Sequence, residues 1–153
     1  MRDALIGPLR HVYGVADKVL NMALSDLLTA APKTKRHWFE AGISMIAIDT
    51  ILHRTGILRR IGVQHAFGPA CYRPKGCADI VTQVAAHIDA QQTDSKYPAT
   101  FPRWVQHALW RFCSQDNLAV CCGLRIDDRK RCANRGCPLF NLCDRVALHP
   151  LRP

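Results

Sequence analysis

An all-α fold is what this sequence predicts, and three observations carry it. Apolar residues recur at helical spacing along most of the chain, while few stretches alternate apolar with polar. β-Branched residues are scattered rather than gathered into strand-like runs. Pro32, Gly56 and Pro102 fall at the edges of the periodic segments, where such residues stop or start a helix.

The elements follow in order. A short first element, Arg2 to Val12, is interrupted by Gly7-Pro8, and Tyr13-Gly14-Val15-Ala16 reads as a turn. From Asp17 to Ala30 the residues Leu20, Ala23, Leu24, Leu27 and Leu28 form one apolar face, and Pro32 ends the helix. Lys33 to Arg36 reads as a solvated loop. His37 to Ala47 is apolar on most sides (Trp38, Phe39, Ile43, Met45, Ile46), which predicts a buried helix. Asp49-Thr50 supplies the cap of a third helix ending at Gly56. Further helices are expected over Ala78–Ala90 and Pro102–Asp116, the latter with proline in its first turn. The polar stretch Gln91–Thr100 links them.

Length and composition set outer bounds. A chain of 153 residues, nearly half of them apolar, suits one domain or two small lobes with a packed interior. The formal charge of +9 points to a polyanionic partner, nucleic acid before an acidic membrane surface. No apolar run at the N-terminus is long enough for a signal peptide, and none elsewhere would span a bilayer. A cytoplasmic, reducing location is therefore expected, where the eight cysteines serve as thiols or metal ligands rather than disulfides.

Those cysteines carry the sharpest signal. Cys121 (or its neighbour Cys122), Cys132, Cys137 and Cys143 place four thiols in one polar loop, too polar to be core. Structural zinc sites usually pair cysteines two to four residues apart as knuckles. Here the gaps are nine or ten, four and five residues, which favours a [4Fe-4S] cluster taking one thiolate per iron, with zinc as the alternative. Cys113, beside Leu109, Trp110 and Phe112, reads as core. Cys71 and Cys77 have no evident partner ligands and read as a structural pair of thiols.

Taken together, three stretches resemble the helix-hairpin-helix DNA glycosylases that carry a [4Fe-4S] cluster, the endonuclease III and adenine glycosylase superfamily. Tyr13-Gly14-Val15-Ala16-Asp17-Lys18-Val19-Leu20-Asn21 is similar to that family's Pro-Gly-Val-Gly-x-Lys-Thr-Ala-Asn hairpin. Ile48-Asp49-Thr50-Ile-Leu-His-Arg54 is similar to its Val-Asp-Thr-x-x-x-Arg stretch. Cys137-Pro-Leu-Phe-Asn-Leu-Cys143 resembles its last two cluster ligands. The order along the chain is the family's. The departures are Ala16 for the second hairpin glycine, about thirty residues between Lys18 and Asp49, and wider gaps among the first three cysteines. In the family most of a helical barrel precedes the hairpin, so the resemblance implies the C-terminal portion of such a protein.

The resemblance also implies a division of labour. Residues 1–49 would form the helix-hairpin-helix and a barrel remnant, and 50–153 a helical domain ending in the four-cysteine loop. Lys18 would be the amine nucleophile and Asp49 the catalytic carboxylate. Gly14, Val15 and Ala16 would turn backbone amides toward a DNA phosphate. Arg125, Arg129, Lys130 and Arg131, inside the cysteine loop, would add cations along double-stranded, damaged or abasic DNA, with Arg59 and Arg60 extending that surface. Read on spacing alone, Lys18 is a solvated lysine in the first turn of a helix and Asp49 an N-cap. The expected activity is base excision with abasic-site cleavage. The alternatives are a non-catalytic DNA-binding module and a zinc-stabilised interaction or redox-sensing protein.

Overall fold

The computed structural model describes residues 2–13, 15–31, 33–55, 58, 63, 65–114, 116–121, 131–143 and 145. Among them the chain is helical, with no strand. The α-helices are α1 (Arg2–Ile6), α2 (Asp17–Thr29), α3 (Arg36–Ser44), α4 (Cys77–Ala85) and α5 (Pro102–Cys113). Short 3-10 turns occupy Gly7–His11, Lys33–Lys35, Pro69–Tyr72 and Ala90–Gln92, and a π-turn occupies Ile51–Thr55. No helix among the described residues is long and apolar enough to cross a membrane.

Gly7-Pro8 splits the first element as its composition dictates: α1 stops at Ile6 and a 3-10 turn with proline near its start follows. α2 begins on Ala16, whose φ of −84° and ψ of 163° lie in the extended region. A glycine is therefore not needed there. The apolar face of α2 is rotated from the one its leucines predict. Leu20 and Leu28 are buried, but Leu27 is 69% exposed and Ala23 is exposed, while Asn21 and Ser25 take the inward positions. Their polar atoms are satisfied: Ser25 Oγ donates to the Gly42 carbonyl at 2.9 Å, and Asn21 Nδ2 to the Asp17 carbonyl at 2.7 Å.

α3 packs on α2 through small residues rather than through its aromatics. Ala41 and Gly42 are its buried positions, whereas Trp38 is 43% exposed beneath Lys35, whose Nζ lies 5.4 Å from the ring centre. The helix is thus amphipathic, not buried all round as its composition predicts. It also ends at Ser44, and Met45–Ile48 continues as a non-helical, fully buried run. Leu28, Ala41 and Met45 form a core cluster, with Leu5 and Leu24 packed against it.

Gly42 is where the two backbones meet. A Cβ there would lie 2.9 Å from both Leu28 Cβ and the Thr29 backbone nitrogen. Because a backbone atom cannot swing aside, Gly42→Ala is expected to cost about 1–3 kcal/mol. Urea denaturation followed by circular dichroism would read this as a lower midpoint at unchanged slope.

Contacts divide the chain into two units, and each is discontinuous. One comprises 1–48 and 78–106, the other 49–77 and 107–153. This differs from a serial split into 1–49 and 50–153, because 78–106 belongs with the first unit. His53, His65, Cys71, Cys77, Cys121, Cys132, Cys137 and Cys143 all lie in the second unit.

Candidate metal centres

The C-terminal end of α5 anchors the first centre. The Val120 and Cys121 amides both donate to the Phe112 carbonyl, at 2.9 and 3.3 Å, and fold the chain back over the helix end. Cys113 and Cys121 are buried together against Ile51 and Phe112, so Cys113 is core as its neighbours predict. The segment 131–143 then crosses as consecutive turns. The Cys137 amide donates to the Asn134 carbonyl, Phe140 to Cys137, and both Leu142 and Cys143 to Leu139. Asn134 Nδ2 donates to the Val120 carbonyl at 3.2 Å, tying that segment to the Cys121 turn.

The result is a partly open pocket lined by Cys121, Cys132, Cys137 and Cys143. Phe112, Val120, Leu139 and Phe140 supply its apolar wall, and the Arg145 guanidinium lies 4.6 Å from the Phe140 ring centre. Two backbone amides point at the thiols: Asn134 N–H to Cys132 Sγ at 3.5 Å and Arg145 N–H to Cys143 Sγ at 3.3 Å. Amide donors of this kind stabilise thiolates and tune a cluster's potential. Cys121 lines the pocket; its neighbour Cys122 lies outside the described residues.

A second group of ligands was not legible in the sequence. His53, His65, Cys71 and Cys77 bring one donor atom each to within 4.8 Å of one another. His53 Nδ1 lies 3.2 Å from Cys77 Sγ and 3.8 Å from Cys71 Sγ, and His65 Nε2 lies 3.3 Å from Cys77 Sγ. Cys71, Cys77 and His53 are buried, and His65 is half-buried. The two thiols are therefore not an isolated structural pair, as their spacing predicts; they face two imidazoles. Burial pushes the Cys77 thiol up to about 12, with Cys71 beside it adding to the effect. A metal entering here displaces a proton that the empty protein holds at neutral pH.

The local backbone explains the convergence. Asp49 Oδ1 accepts the Leu52 amide at 2.8 Å and the Asp49 carbonyl accepts the His53 amide at 3.0 Å, starting the π-turn that carries His53. Pro69–Tyr72 presents Cys71, and Gly76 N–H donates to the Arg73 carbonyl at 2.9 Å to close a tight turn before Cys77. Lys75 takes a positive φ of 63° in that turn. Cys77 opens α4.

The remaining candidate residues are distributed as follows. Lys18 is half-buried in the first turn of α2, in the first unit. Asp49 is buried in the second unit and is a cap, although of a π-turn rather than of the α-helix expected there. Val15 is half-buried and Ala16 exposed beside a fully exposed Tyr13. Arg131 is exposed. Gly14, Arg59, Arg60, Arg125, Arg129 and Lys130 lie outside the described residues.

Compared with protein-family models, curated proteins and solved structures, the chain matches none.

Proposed function

We propose that the chain is a DNA-binding iron–sulfur protein of the helix-hairpin-helix glycosylase kind, acting in base-excision repair as a glycosylase and abasic-site lyase. The observation that carries this reading is the cavity bounded by Cys121, Cys132, Cys137 and Cys143. These four thiols surround a volume, whereas the donors that converge as for a single ion are a different set. A [4Fe-4S] cluster takes one thiolate per iron, and this pocket offers four thiols, an apolar wall and two amide donors. Bound there, the cluster would join Cys121 and Cys132, the two ends of the basic stretch of sequence.

That loop contributes the cations. Arg125, Arg129, Lys130 and Arg131 occur within ten residues of sequence, and phosphate contacts of this sort position a protein without reading base identity. The turn before α2 contributes backbone amides at a helix start, where an anion is favoured. Lys18, one residue into α2, supplies a neutral amine that attacks C1′ of an extruded nucleotide. The C1′–base bond breaks and the base leaves with a proton, and opening of the sugar ring at its C1′–O bond then leaves the imine. Asp49 assists by stabilising positive charge on the sugar.

The trapping experiment is direct. The full chain, mixed with duplex DNA bearing an abasic site and borohydride, is expected to form a covalent adduct that Lys18→Ala abolishes, with duplex binding that weakens steeply as salt rises. An adduct of equal yield from Lys18→Ala would remove Lys18 from the mechanism. A non-catalytic DNA-binding module is favoured by one observation, that one oxygen of the Asp49 carboxylate accepts the Leu52 amide as a cap does. Salt-sensitive binding with no adduct selects it.

A further inference from the structure

We propose that His53, His65, Cys71 and Cys77 form a second, independent metal centre: a closed tetrahedral zinc(II) site of two thiolates and two imidazoles. Zinc binds sulfur at about 2.3 Å and imidazole nitrogen at about 2.0 Å, so a regular tetrahedron holds its sulfur and nitrogen donors about 3.5 Å apart. The three S···N distances of 3.2, 3.3 and 3.8 Å straddle that value.

The donor chemistry selects the ion. Two soft thiolates with two imidazoles in a tetrahedral set suit zinc, whereas magnesium and calcium require oxygen ligands. A two-iron cluster of mixed ligation puts both histidines on one iron and both cysteines on the other, which separates the pairs. Here His53 Nδ1 lies within 3.8 Å of both thiols, as one central ion requires. Packing alone does not account for the group. Buried cysteines pack as small hydrophobes, but imidazole nitrogens directed at two sulfurs from separate turns are polar atoms converging on a point.

Four protein ligands leave no open position, so the ion is structural. It joins three pieces of backbone: the π-turn at Ile51–Thr55, the 3-10 turn at Pro69–Tyr72 and the first residue of α4. His53 lies one turn after Asp49, which accepts its amide, so the ion also fixes the stretch that presents Asp49.

Metal analysis of the full chain, purified anaerobically, tests this separately from the iron–sulfur reading. A single zinc per chain is expected, and it should be replaceable by cobalt(II) to give intense tetrahedral d–d bands with a thiolate charge-transfer band. Cys71→Ser and Cys77→Ser should lose zinc while keeping iron; Cys137→Ser should lose iron while keeping zinc. His65→Cys should keep cobalt with a stronger charge-transfer band, which guards against variants that fail only because they unfold. A wild-type chain free of zinc that refuses cobalt, iron in this site, a Cys71–Cys77 disulfide, or full zinc occupancy in Cys77→Ser would each overturn the proposal. None of these outcomes touches the cluster, whose own failure reads as absent iron and sulfide.

Discussion

Replacing Cys137 with serine is expected to drop bound iron from about four atoms per chain to near none, and with it the brown colour and the fold of residues 131–143. The reason is that a shared centre would tie that segment at three of its residues, Cys132, Cys137 and Cys143. Short-range turns run through it, and Asn134 Nδ2 donates outward to the Val120 carbonyl. Leu142 is 78% exposed and contributes almost no buried apolar surface. Without a shared centre for Cys121, Cys132, Cys137 and Cys143, conformational entropy of about 1–2 kcal/mol per residue is opposed by those turns and by the apolar wall that Leu139 and Phe140 share. Hydrogen exchange should show 131–143 losing protection. Exchange in α2 and α3 should be unchanged, because their core of Leu28, Ala41 and Met45 belongs to the other unit. If iron stays at the wild-type level in Cys137→Ser, the residue is not a ligand.

Much of this architecture was legible in the residues, and what was not has physical reasons. α2 and α5 follow from helical spacing with a turn before one and proline at the first position of the other. The orientation of α2 does not, because burying Asn21 and Ser25 instead of Leu27 depends on the close approach at Gly42. The four-thiol pocket was legible because Cys121, Cys132, Cys137 and Cys143 fall close together in one polar stretch of sequence. The His53–His65–Cys71–Cys77 group was not, since its ligands come from separate turns with eleven, five and five residues between them. No knuckle spacing marks it, and His53 falls inside what periodicity presents as an ordinary α-helix. A π-turn has no sequence period of its own, yet it is often found at functional sites. The discontinuous units were equally hidden, because the return of 78–106 to the first unit is decided by tertiary packing alone.

Gly76→Ala is expected to disable the second centre without altering any ligand. A Cβ at this position would sit 2.8 Å from the carbonyl oxygens of both Cys71 and Arg73, and closer still to that of Ala70. All three are backbone atoms of the turn that sets the Cys71 and Cys77 sulfurs against His53. None can move without carrying a ligand with it, so relief of the overlap must open the turn. The loss of stability is expected at about 3 kcal/mol, the upper end for overpacking, because a carbonyl contact is both steric and electrostatic. Metal affinity should fall by at least tenfold, since bound metal stabilises only the closed arrangement. Gly136→Ala is the matched control: its Cβ would meet nothing nearer than Asn134 Oδ1 at 3.4 Å, and its cost should stay within about 0.5 kcal/mol. Thermal unfolding of both variants, with zinc and with chelator, separates the effects. Zinc should raise the wild-type and Gly136→Ala midpoints alike and barely move that of Gly76→Ala. Equal stabilisation of all three by zinc would mean that the turn does not set the site.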